Sequence, residues 1–126
     1  MPCRVSKAEF ARYVEEALAE LPEPFASHVE QITVEIVDRP TRKQLRSVGL
    51  KDDELLFGLY QGVSLPDRSV EHSGVMPDRI LIFQEDHELA CGNSGELVAE
   101  IRTTVLHEIG HHFGMDEDDL DEVGYG

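Results

Sequence analysis

Several residue types that mark particular protein classes are scarce in this sequence of 126 residues. It has no tryptophan, only 6% aromatic residues and two cysteines. Cys3 and Cys91 are far apart and form no CxxC pair, so we expect two reduced thiols rather than a disulfide framework or a zinc knuckle. No stretch approaches the ~18 apolar residues of a membrane span, and the first residues lack the apolar segment of a secretory signal. We therefore expect a cytoplasmic protein.

Positive charge is also scarce. Eleven Lys and Arg residues stand against 26 Asp and Glu residues, which gives a net charge of −15. A surface this negative repels phosphate backbones and anionic lipids, so we expect neither nucleic acid nor a membrane as a partner. Hydrophobic residues make up 40% of the chain, enough for one core. The sequence predicts a single domain over residues 1–126.

The N-terminal part of the chain carries the signals of a helix. Ser6 and Glu9 have the spacing of a capping box, in which each side chain bonds a free backbone N–H at the helix start. An apolar stripe with helical spacing follows, and Pro22 and Pro24 end it. The stripe consists of Phe10, Val14, Ala17, Leu18 and Leu21.

The middle of the chain contains short strand signals. Ile32–Val37 has an alternating pattern, and residues 41–48 are typical of a short helix closed by Gly49. Residues 55–60 and 80–83 form two more runs rich in strand-forming residues. Because the connection between them is long and contains glycines and prolines, we interpret it either as a wall of a binding cleft or as a surface loop.

The chemistry lies in the amphipathic helix predicted over residues 96–113. Within it, His107-Glu108-Ile109-Gly110-His111 has the pattern HExxH. Side chains four residues apart share one face of a helix, so His107 and His111 can bind one metal ion, and zinc suits this donor pair. Glu108 lies beside them, where it can reach a metal-bound water as a general base. Glu100, two turns earlier, is interpreted as a solvated surface residue.

The residues after the motif offer a third ligand. Gly114 can end the helix in a left-handed conformation and turn the chain back. Glu117 follows three residues later, and its carboxylate can then complete a three-ligand zinc site with one position open for water. Asp116 is the second candidate for this ligand. The acidic ending also contains Asp118, Asp119, Asp121 and Glu122.

These residues resemble those of the small single-domain bacterial zincin-like metallopeptidases, or minimal zincins, with the motif HExxHxxGxxD. His107, Glu108, His111 and Gly114 match it, and Glu117 stands where the family usually has Asp. The resemblance implies an α+β fold in which a small sheet of about three strands packs against the HExxH helix and an N-terminal helix. It also implies zinc-dependent hydrolysis of a peptide or protein substrate by a metal-activated water, with Glu108 as general base.

Two other functions remain open at this point. The first is a non-catalytic module, in which the metal stabilises the C-terminal turn and the acidic surface contacts a protein partner. The second is a different HExxH hydrolase resembling peptide deformylase, in which Cys91 would be a ligand. Under the peptidase hypothesis, an extended peptide can add to an exposed strand, either in residues 55–60 or in residues 80–83. The sequence does not predict the oligomeric state.

Overall fold

A computed structural model of the chain describes residues 3–23, 25–29, 32–61 and 78–112. Five helices and three strands occur in these ranges. In chain order they are α1 (Lys7–Ala19), α2 (Phe25–His28), β1 (Ile32–Val37), α3 (Arg42–Ser47), β2 (Gly58–Gln61), β3 (Asp78–Phe83), α4 (Gln84–Ala90) and α5 (Ser94–His112). No helix within these ranges is both long enough and apolar enough to cross a membrane.

The strands form one mixed sheet with the order β1-β3-β2. Strand β3 lies in the centre, parallel to β1 and antiparallel to β2. Its residues from Ile80 to Phe83 are all buried, as expected for a strand covered on both faces. The expected α+β architecture, with a small three-stranded sheet against the motif helix and the N-terminal helix, is confirmed.

Helix α1 begins and ends where the sequence indicates. The Ser6 hydroxyl accepts a hydrogen bond from the Glu9 N–H at 3.1 Å, and the helix ends two residues before the Leu21-Pro22 pair. The predicted capping box is only half formed, because the Glu9 carboxylate accepts a hydrogen bond from the Tyr13 hydroxyl at 3.1 Å instead of one from the Ser6 N–H. Phe10 and Val14 of the apolar stripe are buried, so α1 contributes one face to the core.

Two other helices are capped by polar side chains at their starts. Thr41 and Gln44 form a complete capping box at α3, which ends before Gly49 in the left-handed conformation with φ of 79°. At α5, the Asn93 side chain accepts a bond from the Glu96 N–H at 2.9 Å. The Glu96 carboxylate accepts one in return from the Gly92 N–H at 2.9 Å. These bonds start α5 two residues earlier than the sequence predicts.

The core lies between the sheet and the two long helices, α1 and α5. Its buried members are Phe10, Val14, Ala17, Leu21, Phe25, Ile32, Ile80, Ile82, Cys91, Leu97, Ile101, Val105 and Ile109. Because the α5 members recur every four residues, one face of the helix is fixed against the sheet. The position of the motif at the end of α5 is therefore set by core packing.

The N-terminal segment before α1 is attached to helix α4. The Cys3 N–H donates to the carbonyl oxygens of Glu88 and Cys91, at 3.1 and 2.9 Å. The Val5 N–H donates to the Glu88 carboxylate at 2.9 Å, and the Gln84 amide donates to the Val5 carbonyl at 3.2 Å. These bonds join residues about eighty positions apart in the sequence.

Candidate functional site

The last turns of α5 bring three of the predicted site residues together. The His107 and His111 rings have centroids 5.0 Å apart and planes inclined by 69°. The Glu108 carboxylate lies 3.4 Å, Oε1 to Nδ1, from the His111 ring. Glu108 is almost completely buried at 7% exposure, whereas both imidazoles are half-buried. Two imidazoles and one carboxylate therefore meet where the helix reaches the surface.

Glycine at position 58 allows strand β2 to approach this part of α5 closely. A Cβ atom on Gly58 would lie 2.7 Å from the Thr104 Cγ2 atom and 2.9 Å from the Glu108 Cγ atom. Carbon atoms make favourable contact only at about 3.5–4.0 Å, so no larger residue fits without displacing α5 side chains. The backbone of β2 is consequently one of the surfaces that position Glu108.

A groove runs between α5 and the segment that leads into β2. Its volume is about 230 Å³. One wall is the chain from Leu55 to Gly58, and the other is a face of α5 with side chains three or four residues apart. The α5 members are Glu100, Thr103, Thr104, His107 and Glu108. Glu100, interpreted from the sequence as a solvated surface residue, is half-buried and lines the groove.

Helix α4, which the sequence did not predict, holds the first wall of the groove in place. The Asp86 carboxylate is buried and accepts a hydrogen bond from the Leu56 N–H at 2.8 Å. Burial raises the pKa of Asp86 above its ordinary value. The bond from Leu56 and the charge of Arg39 oppose this shift but do not reverse it. Residues 55–57 precede the strand, so the strand predicted over 55–60 begins only at Gly58 and ends at Gln61.

His87 on α4 supports both walls from behind. It is fully buried; its Nδ1 lies 2.8 Å from the Phe83 carbonyl oxygen, and its Nε2 lies 2.9 Å from the Thr104 hydroxyl. The Thr104 hydroxyl also lies 2.9 Å from the Glu100 carbonyl oxygen. A carbonyl oxygen only accepts, so Nδ1 of the neutral ring carries the proton, and the one proton of the Thr104 hydroxyl is shared between two acceptors, His87 Nε2 and the Glu100 carbonyl oxygen. The His87 ring contacts Phe57, with centroids 4.9 Å apart.

The ionisation of His87 leads to a pH-dependent prediction. Burial lowers the pKa of His87 from its ordinary value of about 6.5, so the folded protein keeps the ring neutral where the unfolded chain binds a proton. Stability is unaffected by this group above about pH 7.5, falls as the pH decreases through 6.5, and levels off below the lowered folded-state pKa. Urea unfolding of wild type and His87→Gln between pH 5 and 8 measures the effect as a difference in the slope of the free energy of unfolding against pH. Parallel pH profiles would contradict it.

A second prediction concerns the close approach at position 58. Gly58→Ala is expected to lower the free energy of unfolding by about 1–3 kcal/mol, because the new methyl group overlaps Thr104 and Glu108. Gly92→Ala is the matched control, since its Cβ would meet only the Glu96 carboxylate at 3.6 Å. Adding Thr104→Ser, which removes Cγ2 and keeps the hydroxyl, should restore part of the loss in chemical denaturation. If the changes in the free energy of unfolding caused by Gly58→Ala and Thr104→Ser simply add in the double variant, overlap with the Thr104 Cγ2 atom is not the cause of the loss.

The remaining predicted residues are placed as follows. Glu117 and Asp116, the two candidates for the third ligand, lie outside the described residues, as do Gly114 and the connection over 62–77. Within the described ranges, no group of three His, Cys, Asp or Glu side chains could hold a metal ion. Of the three predicted ligands, the described residues therefore include only His107 and His111.

Cys91 does not belong to this site. It is buried in the core at the start of α5, and burial raises the pKa of its thiol. From Ser94 to His107 the helix rises about 20 Å, at 1.5 Å per residue. A single ion cannot bind side chains separated by this distance, so the deformylase-like hypothesis with Cys91 as a ligand is geometrically excluded.

An HExxH helix that packs against a small mixed sheet beside an edge strand defines a zincin-like architecture. Residues 29–125 match the sequence profile of the zincin-like metallopeptidases, and the chain belongs to that family. Its structure is similar to that of a conserved hypothetical protein from Thermus thermophilus, with a TM-score of 0.60 and 22% sequence identity over 86% of this chain and 94% of that one. No curated protein sequence matches the chain.

Proposed function

We propose that this protein is a zinc-dependent peptidase in which His107, His111 and Glu117 hold the metal and Glu108 is the general base. The observation that carries the proposal is the position of Glu108. Its carboxylate is buried beside two imidazoles and at the same time lines a groove of about 230 Å³. A carboxylate in such a place is positioned to take a proton from a water that attacks a bound substrate.

The donor set supports zinc as the metal. Imidazole nitrogens and a carboxylate are ordinary zinc ligands, and three protein ligands leave a position open in catalytic sites. No lysine or arginine is among the described residues that line the groove at His107. When bound, zinc would supply a Lewis acid that polarises the scissile carbonyl and lowers the pKa of water.

The groove also offers a place for the peptide backbone. Strand β3 pairs on both sides, whereas β2 pairs with β3 on one side and is an edge strand of the described sheet. Of the two segments that the sequence suggests for strand addition, this geometry favours the one containing β2. A peptide extended along β2 would bring its backbone to Glu108, whose carboxylate can pass the proton on to the leaving amine nitrogen.

Metal content tests the ligand assignment. We expect wild-type protein purified without an affinity tag to bind close to one zinc ion per chain, measured by mass spectrometry. His107→Ala, His111→Ala and Glu117→Ala should each lose the metal, because two remaining ligands bind zinc much more weakly than three. Asp116→Ala is the matched control for Glu117→Ala. If Glu117→Ala keeps zinc and Asp116→Ala loses it, the third ligand is Asp116.

A peptide library then separates catalysis from binding alone. Zinc-loaded wild type is expected to cleave some members, and His111→Ala to cleave none. If wild type binds zinc and cleaves no peptide, the protein is a non-catalytic metal-binding module for a protein partner. If wild type does not bind zinc at all, the proposed function is wrong.

A further inference from the structure

We propose that the groove binds a lysine or arginine side chain of the substrate next to the cleaved bond, with Glu100 contacting its cationic end. This inference rests on the proposed function, which places the cleaved bond at Glu108. It names the chemical class of substrate, a basic peptide segment, and one residue that determines specificity. Three properties of the groove support it: charge, length and the apolar character of one wall.

The end of the groove away from the proposed zinc ion is negatively charged. Glu100 lines one end and Glu108 the other, and no lysine or arginine is among the described lining residues. The one arginine of α5, Arg102, pairs with Glu20 on α1 at 2.8 Å and, two residues from Glu100, lies on a different face of the helix. A half-buried carboxylate in a cleft with low-dielectric walls attracts cations more strongly than an exposed one.

The length of the groove selects long side chains. Glu100 and Glu108 are eight residues apart on α5, and 8 × 1.5 Å gives about 12 Å along the helix axis. A substrate backbone held at Glu108 can reach Glu100 only through a long, extended side chain. Lysine and arginine combine this reach with a cationic end, whereas a short cationic side chain would end in the middle of the groove.

The first wall suits the aliphatic part of such a side chain. Leu55, Leu56 and Phe57 line it, and Leu55 is 40% exposed although it is a large apolar residue. Lysine and arginine bury their methylene groups along apolar surfaces and keep the charged end near polar groups. The groove therefore matches both parts of the side chain, the stem at residues 55–57 and the charge at Glu100.

Binding to a catalytically inactive protein tests the inference without any need for turnover. The protein is zinc-loaded Glu108→Gln, labelled with ¹⁵N and titrated with capped pentapeptides in an NMR experiment. The central residue is lysine, norleucine or 2,3-diaminopropionate, and the other four are alanine. Comparing the affinities of the lysine and norleucine peptides measures the contribution of the side-chain charge. Comparing the lysine and diaminopropionate peptides measures the contribution of side-chain length. We expect the lysine peptide to bind about 5- to 10-fold more tightly than either of the other two peptides. Its binding should change the chemical shifts of the backbone amides of Gly58 and Thr103.

Two further substitutions assign the preference to Glu100. In Glu108→Gln with Glu100→Gln, the preference for lysine over norleucine should fall below about 2-fold. Glu15→Gln, placed on the same background, removes an equal charge from an exposed position on α1 and should leave the preference unchanged. If Glu100→Gln and Glu15→Gln reduce the preference for lysine equally, the peptide is attracted only by the overall negative charge of the protein and the inference is overturned. So would equal binding of lysine and norleucine, or no binding of any peptide.

These outcomes are distinguishable from a failure of the proposed function. If wild type cleaves peptides with no preference for a basic residue near the cleaved bond, the peptidase assignment stands and the inference about Glu100 is wrong. If the lysine peptide binds selectively while wild type cleaves nothing, the groove binds basic segments and the peptidase assignment is wrong.

Discussion

Glu108→Gln is expected to reduce peptide hydrolysis by at least about 100-fold while zinc remains bound. General base catalysis contributes about 10²- to 10⁴-fold, and a carboxamide of the same shape cannot accept the proton. The carboxylate is 7% exposed and lies in the groove between Gly58 and the His111 ring, so water cannot easily replace it as a base. Since glutamine has nearly the same volume, it should not disturb the packing against β2.

The measurement compares the rate of cleavage and the zinc content of the same preparations. Wild type and Glu108→Gln should both hold close to one zinc ion, and only wild type should turn over. Glu15→Gln, which removes one charge far from the groove, should retain the wild-type rate. If Glu108→Gln cleaves peptides at a rate within a few fold of wild type, Glu108 is not the base.

His87→Ala is expected to lower the free energy of unfolding by about 3–5 kcal/mol, the largest effect on stability that we predict. The ring is fully buried between Phe10 and Phe57, with centroid distances of 5.7 and 4.9 Å. Removing it leaves a cavity beside two aromatic rings. It also removes the hydrogen bonds of the ring to the Phe83 carbonyl oxygen and the Thr104 hydroxyl, which adds to the loss, and the hydroxyl keeps only the Glu100 carbonyl oxygen as its partner.

Chemical denaturation of the metal-free proteins measures this loss, with His107→Ala as the control. His107 is half-buried, so its removal should cost much less stability and abolish zinc binding instead. If His87→Ala does not fold, His87→Gln, which keeps a polar group in the cavity, should fold with an intermediate loss. An unchanged unfolding free energy in both His87 variants would show that the ring does not support the groove.

The sequence predicted those elements whose apolar residues follow a clear period. Strand β1 matches the alternation over Ile32–Val37, and the stripe of α1 and the motif face of α5 are buried as expected. Helix α4 was missed because four of its seven residues are polar and nevertheless buried. A periodicity analysis depends on apolar residues facing the core and cannot find a helix that packs through Gln84, Asp86, His87 and Glu88.

The same contrast applies to the candidate site. The spacing of His107 and His111 predicted two side chains on one helix face, because helical geometry alone decides this. The groove depends on contacts between distant segments, such as Asp86 with Leu56 and Gly58 with Thr104. No local pattern encodes these contacts. A signal was nevertheless present in Gly58, a glycine within a strand pattern, which often marks the close approach of another backbone or helix.

The attachment of the N-terminal segment to α4 has a consequence for protein synthesis. Val5 bonds to Glu88, and α1 packs on α5, so residues 3–19 meet these partners only after α4 and α5 have been synthesised. Until then α5 cannot cover the apolar stripe of α1. We therefore expect folding to begin only when α5 has emerged and the nascent chain to be a chaperone client before that point.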